Sequence, residues 1–442
     1  MKDFPLQSGR NLDLLFLIDN SPSMRDKQLN LANNFGRFID VLSTIPGGLP
    51  SIHIGVVTSD LGTHGTTTAG PTQIGSIGDG GCKNSGNGGN LQKYDAPIID
   101  GKPYLEDLTD ASGVRKPNYT GSLSAAFGKM AQGAGAGGCG FEQHLEAMRV
   151  ALQPGHPANA GFVRNGDMTS GDPEAYLGVI LIADEDDCSL ADATLLSNNS
   201  LGPLQSFRCT RYGVTCDDGG RDTTAMNQVG TKGRCHPNDN SQYLTKVADY
   251  ATFLKNLKSD PKKVIVAGIM GTPEPFAVEF RTPPGTSTAV PALFHSCTYN
   301  GANGPEVADP PVRMQFFLDR FPNRNTSSSI CQQDLSGGLQ QVGDLLKTAL
   351  GYPCIEGKLA DADPSTAGMQ YDCSVSVISA GNSTMDLPHC PSDLPDDAPC
   401  WHLVTEPISC PGGDHVSVAI EGQLKLPSNA RAVASCAIER GN

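Results

Sequence analysis

The chain has 442 residues, a length that suits one large domain with an addition, or two domains. Its formal net charge of −15 argues against a nucleic-acid backbone as partner. Only 18% of residues are charged, while Gly reaches 51 and Pro 32, which fits a globular protein with turn-rich loops and excludes a coiled coil or a disordered tail.

Taken in chain order, residues 12–18 (LDLLFLI) predict a buried parallel strand. The strand stops at Asp19, and Ser21 and Ser23 follow at every second position. Residues 23–42 carry Leu29, Leu31, Phe35, Phe38, Ile39 and Leu42 at helical spacing. Ser23 and Asp26 at its start fit a capping box. Residues 52–58 (IHIGVVT) predict a second strand and 141–152 (FEQHLEAMRVAL) a second helix. Residues 176–183 (YLGVILIA) predict a third strand, ending at Asp184 in the run DEDD. A helix over 243–257, a strand over 263–270 (KVIVAGIM) and a helix over 339–350 complete the series. Alternation of strand and helix implies an α/β fold around a mostly parallel sheet.

Turn-rich insertions interrupt that series at about 60–138, 185–240 and 271–330. After residue 350 the helical period stops. Residues 351–442 read as short strands between turns, a small disulfide-rich β appendage with Trp401 in its core. The expected division is 11–350 for the main domain with its insertions and 351–442 for the appendage.

The cysteines number 14, an even count, with no repeated CxxC zinc pattern. Eight lie before residue 350, in the insertions or at their edges, and six after it, which implies disulfide-stapled loops and export to an oxidising compartment. If the two groups do not cross-link, 105 and 15 pairings are open to them. Cys235-His236, His389-Cys390 and Cys400-Trp401-His402 read as disulfide cysteines beside incidental histidines, not as zinc ligands. No signal peptide is visible and no apolar run approaches the ~20 residues of a membrane span. Membrane attachment is then expected only through a lipid on a removed N-terminal segment.

Ligands of open α/β sheets sit at the carboxyl ends of the strands. Asp19 and Asp184 are both expected there, with Ser21 and Ser23 adding hydroxyls. Such an all-oxygen set suits a hard divalent cation, Mg²⁺ first, with Mn²⁺ or Ca²⁺ as options. A two-metal nuclease reading of DEDD is weaker, because such sites gather carboxylates from several elements. A haloacid-dehalogenase-type phosphatase needs an acid where Ser21 stands.

The Asp-x-Ser-x-Ser run after a buried first strand, with an Asp ending a later strand, resembles the metal-ion-dependent adhesion site (MIDAS) of the von Willebrand factor A family, as in integrin inserted domains. The resemblance covers about residues 11–350. It implies a doubly wound sheet flanked by helices, and a cation held by Asp19, Ser21, Ser23 and Asp184 whose shell a partner's carboxylate completes. The serines are also expected to cap the following helix. The family's second loop supplies a Thr; Cys139 takes that place here, and Glu142 is a candidate replacement ligand or a first-turn acid favoured by the helix dipole.

The cysteine-rich insertions make the chain similar to bacterial cell-surface lipoproteins, some of them gliding adhesins. The resemblance thus implies an exported, non-enzymatic adhesion module at the cell surface, outer membrane or periplasm, binding a protein or surface ligand that offers a carboxylate. The alternatives are a structural subunit whose metal only holds loops, and a metal-dependent hydrolase.

Overall fold

The computed structural model describes residues 2–6, 11–45, 48–110, 114–166, 174–283, 285–350, 355, 357–366, 368–378, 384–390, 400–405, 410, 413–421 and 431–439. Its main body runs β1 (Asn11–Ile18), α1 (Arg25–Ser43), β2 (Ser51–Thr58), β3 (Leu105–Thr109), β4 (Arg115–Pro117), α2 (Leu123–Gly133) and α3 (His144–Leu152). It continues through β5 (Tyr176–Ile182), α4 (Val247–Lys255), β6 (Val264–Met270), α5 (Val312–Asp319), β7 (Asn325–Ser329) and α6 (Ser336–Leu350).

The seven strands form one sheet in the order β7-β6-β5-β1-β2-β3-β4. The first five of that order are parallel, and β3 and β4 add antiparallel pairs at one edge. Successive β1 side chains point to opposite faces. Leu12, Leu14, Phe16 and Ile18 pack under α1, α2 and α6, where Phe35 and Phe127 stack at 3.7 Å between ring centroids. Leu15 and Leu17 face the other way, toward α3, α4 and α5. Both faces are therefore covered, which explains why β1, β5 and β6 are near-continuous apolar runs. This is the doubly wound, mostly parallel α/β architecture that the resemblance implies.

β1 lies between β2 and β5, with Ile18 opposite Thr58 on one side and Ile182 on the other. The chain crosses first to the β2 side and later to the β5 side, so the order reverses next to β1. A crevice opens at such a switch point beyond the carboxyl ends of the strands. Asp19 and Asp184 stand on either side of it.

The insertions carry sheets of their own. Ala277–Arg281 pairs with Gly230–Thr231 and Val290–Leu293, and Cys297–Gly301 forms a hairpin with Gly304–Ala308. The insertion cysteines pair 82–139, 188–209, 216–235 and 297–331. In the C-terminal part 373 pairs with 436 and 390 with 400, so none of these bonds joins the two groups. These pairings settle the His–Cys dipeptides as disulfide cysteines. Cys354 lies outside the described residues; Cys331, just before α6, is bonded to Cys297.

The C-terminal strands Cys373–Ile378, Thr384–Leu387 and Arg431–Cys436 form a sheet completed by Lys2–Leu6, which pairs antiparallel with Arg431–Cys436. The first residues of the chain thus pair with its last strand. Trp401 is buried in the small core here, its indole N–H donating to the Leu387 carbonyl at 3.1 Å. Among the described residues no helix is long and apolar enough to cross a membrane.

Candidate functional site: the acidic cluster at the strand ends

β1 and β5 are adjacent and in register, so the residues that follow them meet. The Asp19 amide donates to the Ile182 carbonyl at 2.9 Å. Asp19 is fully buried, and its Oδ1 accepts from the Ser21 amide at 2.7 Å, closing a local turn. His144, the first residue of α3, places Nε2 3.6 Å from Asp19 Oδ2, an ion-pair distance beyond hydrogen-bond reach. Burial would lower the His144 pKa, but the Asp19 carboxylate outweighs it and holds the imidazole above its ordinary value.

The two serines are bonded to each other, and Ser23 is bonded to Asp184. Ser21 Oγ and Ser23 Oγ are 3.0 Å apart, and Ser23 Oγ donates to Asp184 Oδ1 at 3.1 Å. Neither serine caps a helix. Residues 22–24 form a 3₁₀ turn, α1 starts at Arg25, and no side-chain cap bond is made at either start. Asp26 bonds instead to the backbone and side chain of Asn303.

The residue that organises the cluster is Lys27. It sits one helical turn after Ser23 and is fully buried. Its ammonium lies 3.0 Å from Asp184 Oδ2 and 2.7 Å from Glu306 Oε2, and donates to the Ser23 carbonyl at 3.0 Å. Burial alone would lower its pKa; Asp184 and Glu306 outweigh burial and raise it. The Asp184 carboxyl is pushed up to about 6 by burial and then by Asp19, with Lys27 and Ser23 pulling it back.

This arrangement corrects the metal expectation. Among the described residues no group of three or more His, Cys, Asp or Glu side chains is placed to hold a metal ion. The physical reason lies in the bonds just described. The Lys27 ammonium takes the Asp184 oxygen expected to face a metal cation, the hydroxyls of Ser21 and Ser23 are bonded to each other and that of Ser23 to Asp184, and one oxygen of Asp19 closes its own turn. Cys139 is bonded to Cys82 and offers no oxygen. The Mg²⁺, Mn²⁺ or Ca²⁺ cofactor, the metal-dependent adhesion mechanism built on Asp19, Ser21, Ser23, Asp184 and Glu142, and the loop-holding and hydrolytic readings that share that metal are all set aside.

Glu142 precedes α3 by two residues and does not act as a first-turn acid; the acid in the first turn is Glu146. Glu142 is 1% exposed and its Oε1 has no hydrogen-bond partner. Burial, then the charges of Glu185 and Asp19, push its carboxyl well above the ordinary range. Its backbone carbonyl accepts from the Cys188 amide at 2.7 Å, which ties the loop before α3 to the loop after β5. The third loop comes equally close. Gly138 donates to the Asn20 carbonyl at 2.8 Å, and a Cβ on Gly138 would collide with the Asn20 side chain.

The rest of the DEDD run is held by α5 or lines a cavity. Asp187 is buried against Arg313 at 3.0 Å and accepts from the Leu145 amide at 2.9 Å. Asp186 accepts from the Arg313 and Met314 amides at the start of α5. Glu185 lines a cavity of about 370 Å³ together with Glu142, Asp309 and His295. Burial and the charge of Asp309 raise the Glu185 carboxyl well above its ordinary value.

Lys27 and His144 were legible in principle, as polar residues next to the quoted motifs. Glu306 comes from a hairpin far away in sequence and carries no local signal.

No protein-family model and no curated protein matches the chain. Among solved structures it is similar to a von Willebrand factor type A protein from Catenulispora acidiphila, with 12% identity and a TM-score of 0.30, covering 100% of this chain and 61% of that one. It is also similar to a pilus adhesin from Lactobacillus rhamnosus GG, with 9% identity and a TM-score of 0.30, covering 97% and 39%. For a pilus adhesin from Streptococcus pneumoniae the values are 12%, 0.28, 98% and 57%. The chain thus spans less than two thirds of the length of each of these three proteins. Its structural neighbours thus include a von Willebrand factor type A protein and pilus adhesins, but at these scores the likeness carries no argument, and the fold rests on the strand order and register given above.

Proposed function

We propose that the chain is a non-catalytic, protein-binding module that works outside the cytoplasm and meets its partner through the loop face at the carboxyl ends of the central strands. The observation that carries this reading is the placement of the disulfides. The bonds 82–139, 188–209 and 297–331 fix the loops that leave β2, β5, β6 and β7 at that end. A pre-ordered loop face loses less conformational entropy on binding, and surface loops on a rigid sheet are where recognition residues concentrate. Charge recognition on this face comes from the chain's own side chains. Placement at the bacterial surface, in the outer membrane or periplasm, and a lipid anchor on a preceding segment belong to the same proposal.

The test is binding of the oxidised chain to a panel of envelope and extracellular surface proteins, before and after mild reduction, with and without a chelator. Saturable binding that is lost on reduction and indifferent to the chelator supports the proposal. Binding that survives removal of all three loop disulfides overturns the role given to the loop face. Fractionation of cells expressing the tagged natural protein tests the location.

A further inference from the structure

The cavity beside the strand ends is lined by the loop before α3, the loop after β5, the short helix Phe207–Gly213 and the sheet strands Ala277–Arg281 and Val290–Leu293. Its charged groups can be accounted for one by one. Asp187 is committed to Arg313, and Asp186 to the amides of residues 313 and 314. Asp309 is 2.6 Å from the His295 Nδ1, and Arg281 is held by Glu279 at 2.7 Å and by the Leu293 carbonyl at 2.8 Å. Glu142 and Glu185 remain. Among the described residues the buried Oε1 of Glu142 has no hydrogen-bond partner, and Glu185 lines the cavity beside it.

We infer that this cavity binds an alkylammonium group, with Glu142 and Glu185 receiving the charged head. A buried carboxyl oxygen without a donor is costly, and a cation with several N–H donors relieves it. The ammonium head has three such donors in a compact shape. Phe141, Phe207 and Leu293 give the cavity apolar wall, which suits the methylene stem of an amine better than a hydrated inorganic ion. The same face already shows this recognition within the chain, where the Lys27 ammonium is cradled by Asp184, Glu306 and the Ser23 carbonyl. The inference deepens the protein-binding proposal and rests on it only for the source of the group, a lysine side chain of the partner; a free polyamine offers the same chemistry.

The test titrates the intact, oxidised protein with Nα-acetyl-lysine methylamide, its Nε-acetylated neutral isostere, and cadaverine, followed by calorimetry and chemical-shift changes. The expected result is binding of the charged lysine derivative that falls at least tenfold for the neutral isostere and for Glu142→Gln or Glu185→Gln. Melting curves of both variants show that they are folded. Equal binding of charged and neutral forms, or no binding by the folded wild type, overturns the inference. Binding of cadaverine alone supports the cavity chemistry and overturns its link to a protein partner. Because these probes need no partner protein, failure here is distinct from failure of the protein-binding proposal.

Discussion

Lys27 shows how one side chain decides what a site can be. Its ammonium pairs with the buried Asp184 and the partly exposed Glu306, and an unpaired buried charge is poorly tolerated. Lys27→Met is expected to destabilise the fold by about 3–5 kcal/mol, because it leaves the buried Asp184 unpaired. Urea unfolding measures this, and a loss below about 1 kcal/mol would show that the cluster relaxes by taking up protons or water. A second residue, Glu106 on β3, gives a pH signature. Burial alone would raise its carboxyl, but His53 at 3.2 Å and Lys102 at 2.6 Å outweigh burial and hold its pKa at about 2, below the ordinary 4.5. Its folded-state pKa is depressed, so its contribution to stability is present above pH 4.5 and is lost as pH falls toward 2. Glu106→Gln should flatten the fall in melting temperature across that window; an unchanged slope would remove Glu106 as its cause.

At the scale of elements, the disulfides replace part of what long loops cannot supply by packing. Cys82 and Cys139 are 57 residues apart in sequence and close the insertion that runs past the Asp19 loop. Cys82→Ser with Cys139→Ser is expected to cost about 4 kcal/mol through the freed loop entropy. The measurement is equilibrium unfolding of the double variant beside the wild type. An effect under about 1 kcal/mol would mean that the hydrogen bonds of the three loops already order them. α2 packs on α1 through Phe127 and Phe35 within the span read from sequence as loops, so this insertion has a core contact of its own.

For the whole molecule, the absence of a metal-ligand group among the described residues has a consequence that is simple to measure. A ligand that binds only the native state raises the melting temperature by mass action. Mg²⁺, Mn²⁺ and Ca²⁺ are therefore expected to leave the melting temperature unchanged, as is a chelator. A concentration-dependent rise with any one of them, lost in Asp19→Ala, would reverse this conclusion. The pairing of Lys2–Leu6 with Arg431–Cys436 joins the two ends of the chain in one sheet, a long-range contact with no local signature.

The strands β1, β2, β5 and β6 and the helices α1, α3, α4 and α6 were legible in the sequence because burial on a sheet face or along a helix stripe imposes a period on apolar residues. The sequence by itself determined the α/β class, the placement of Asp19 and Asp184 at neighbouring strand ends, and the disulfide-rich character of the loops. It did not determine β7, whose residues NTSSS are polar; that strand exists because its backbone pairs with β6 at the sheet edge. Nor did it determine α2 or α5, which lie in stretches rich in turn residues. Above all, only the tertiary structure decided what fills the crevice. Hydroxyls and carboxylates at the right spacing are compatible with a metal ion or with an ammonium, and the choice depends on Lys27 and Glu306, brought together across 279 residues of chain. Charge pairing acts through space, so a motif shows which groups can meet and only the fold shows which of them are already paired.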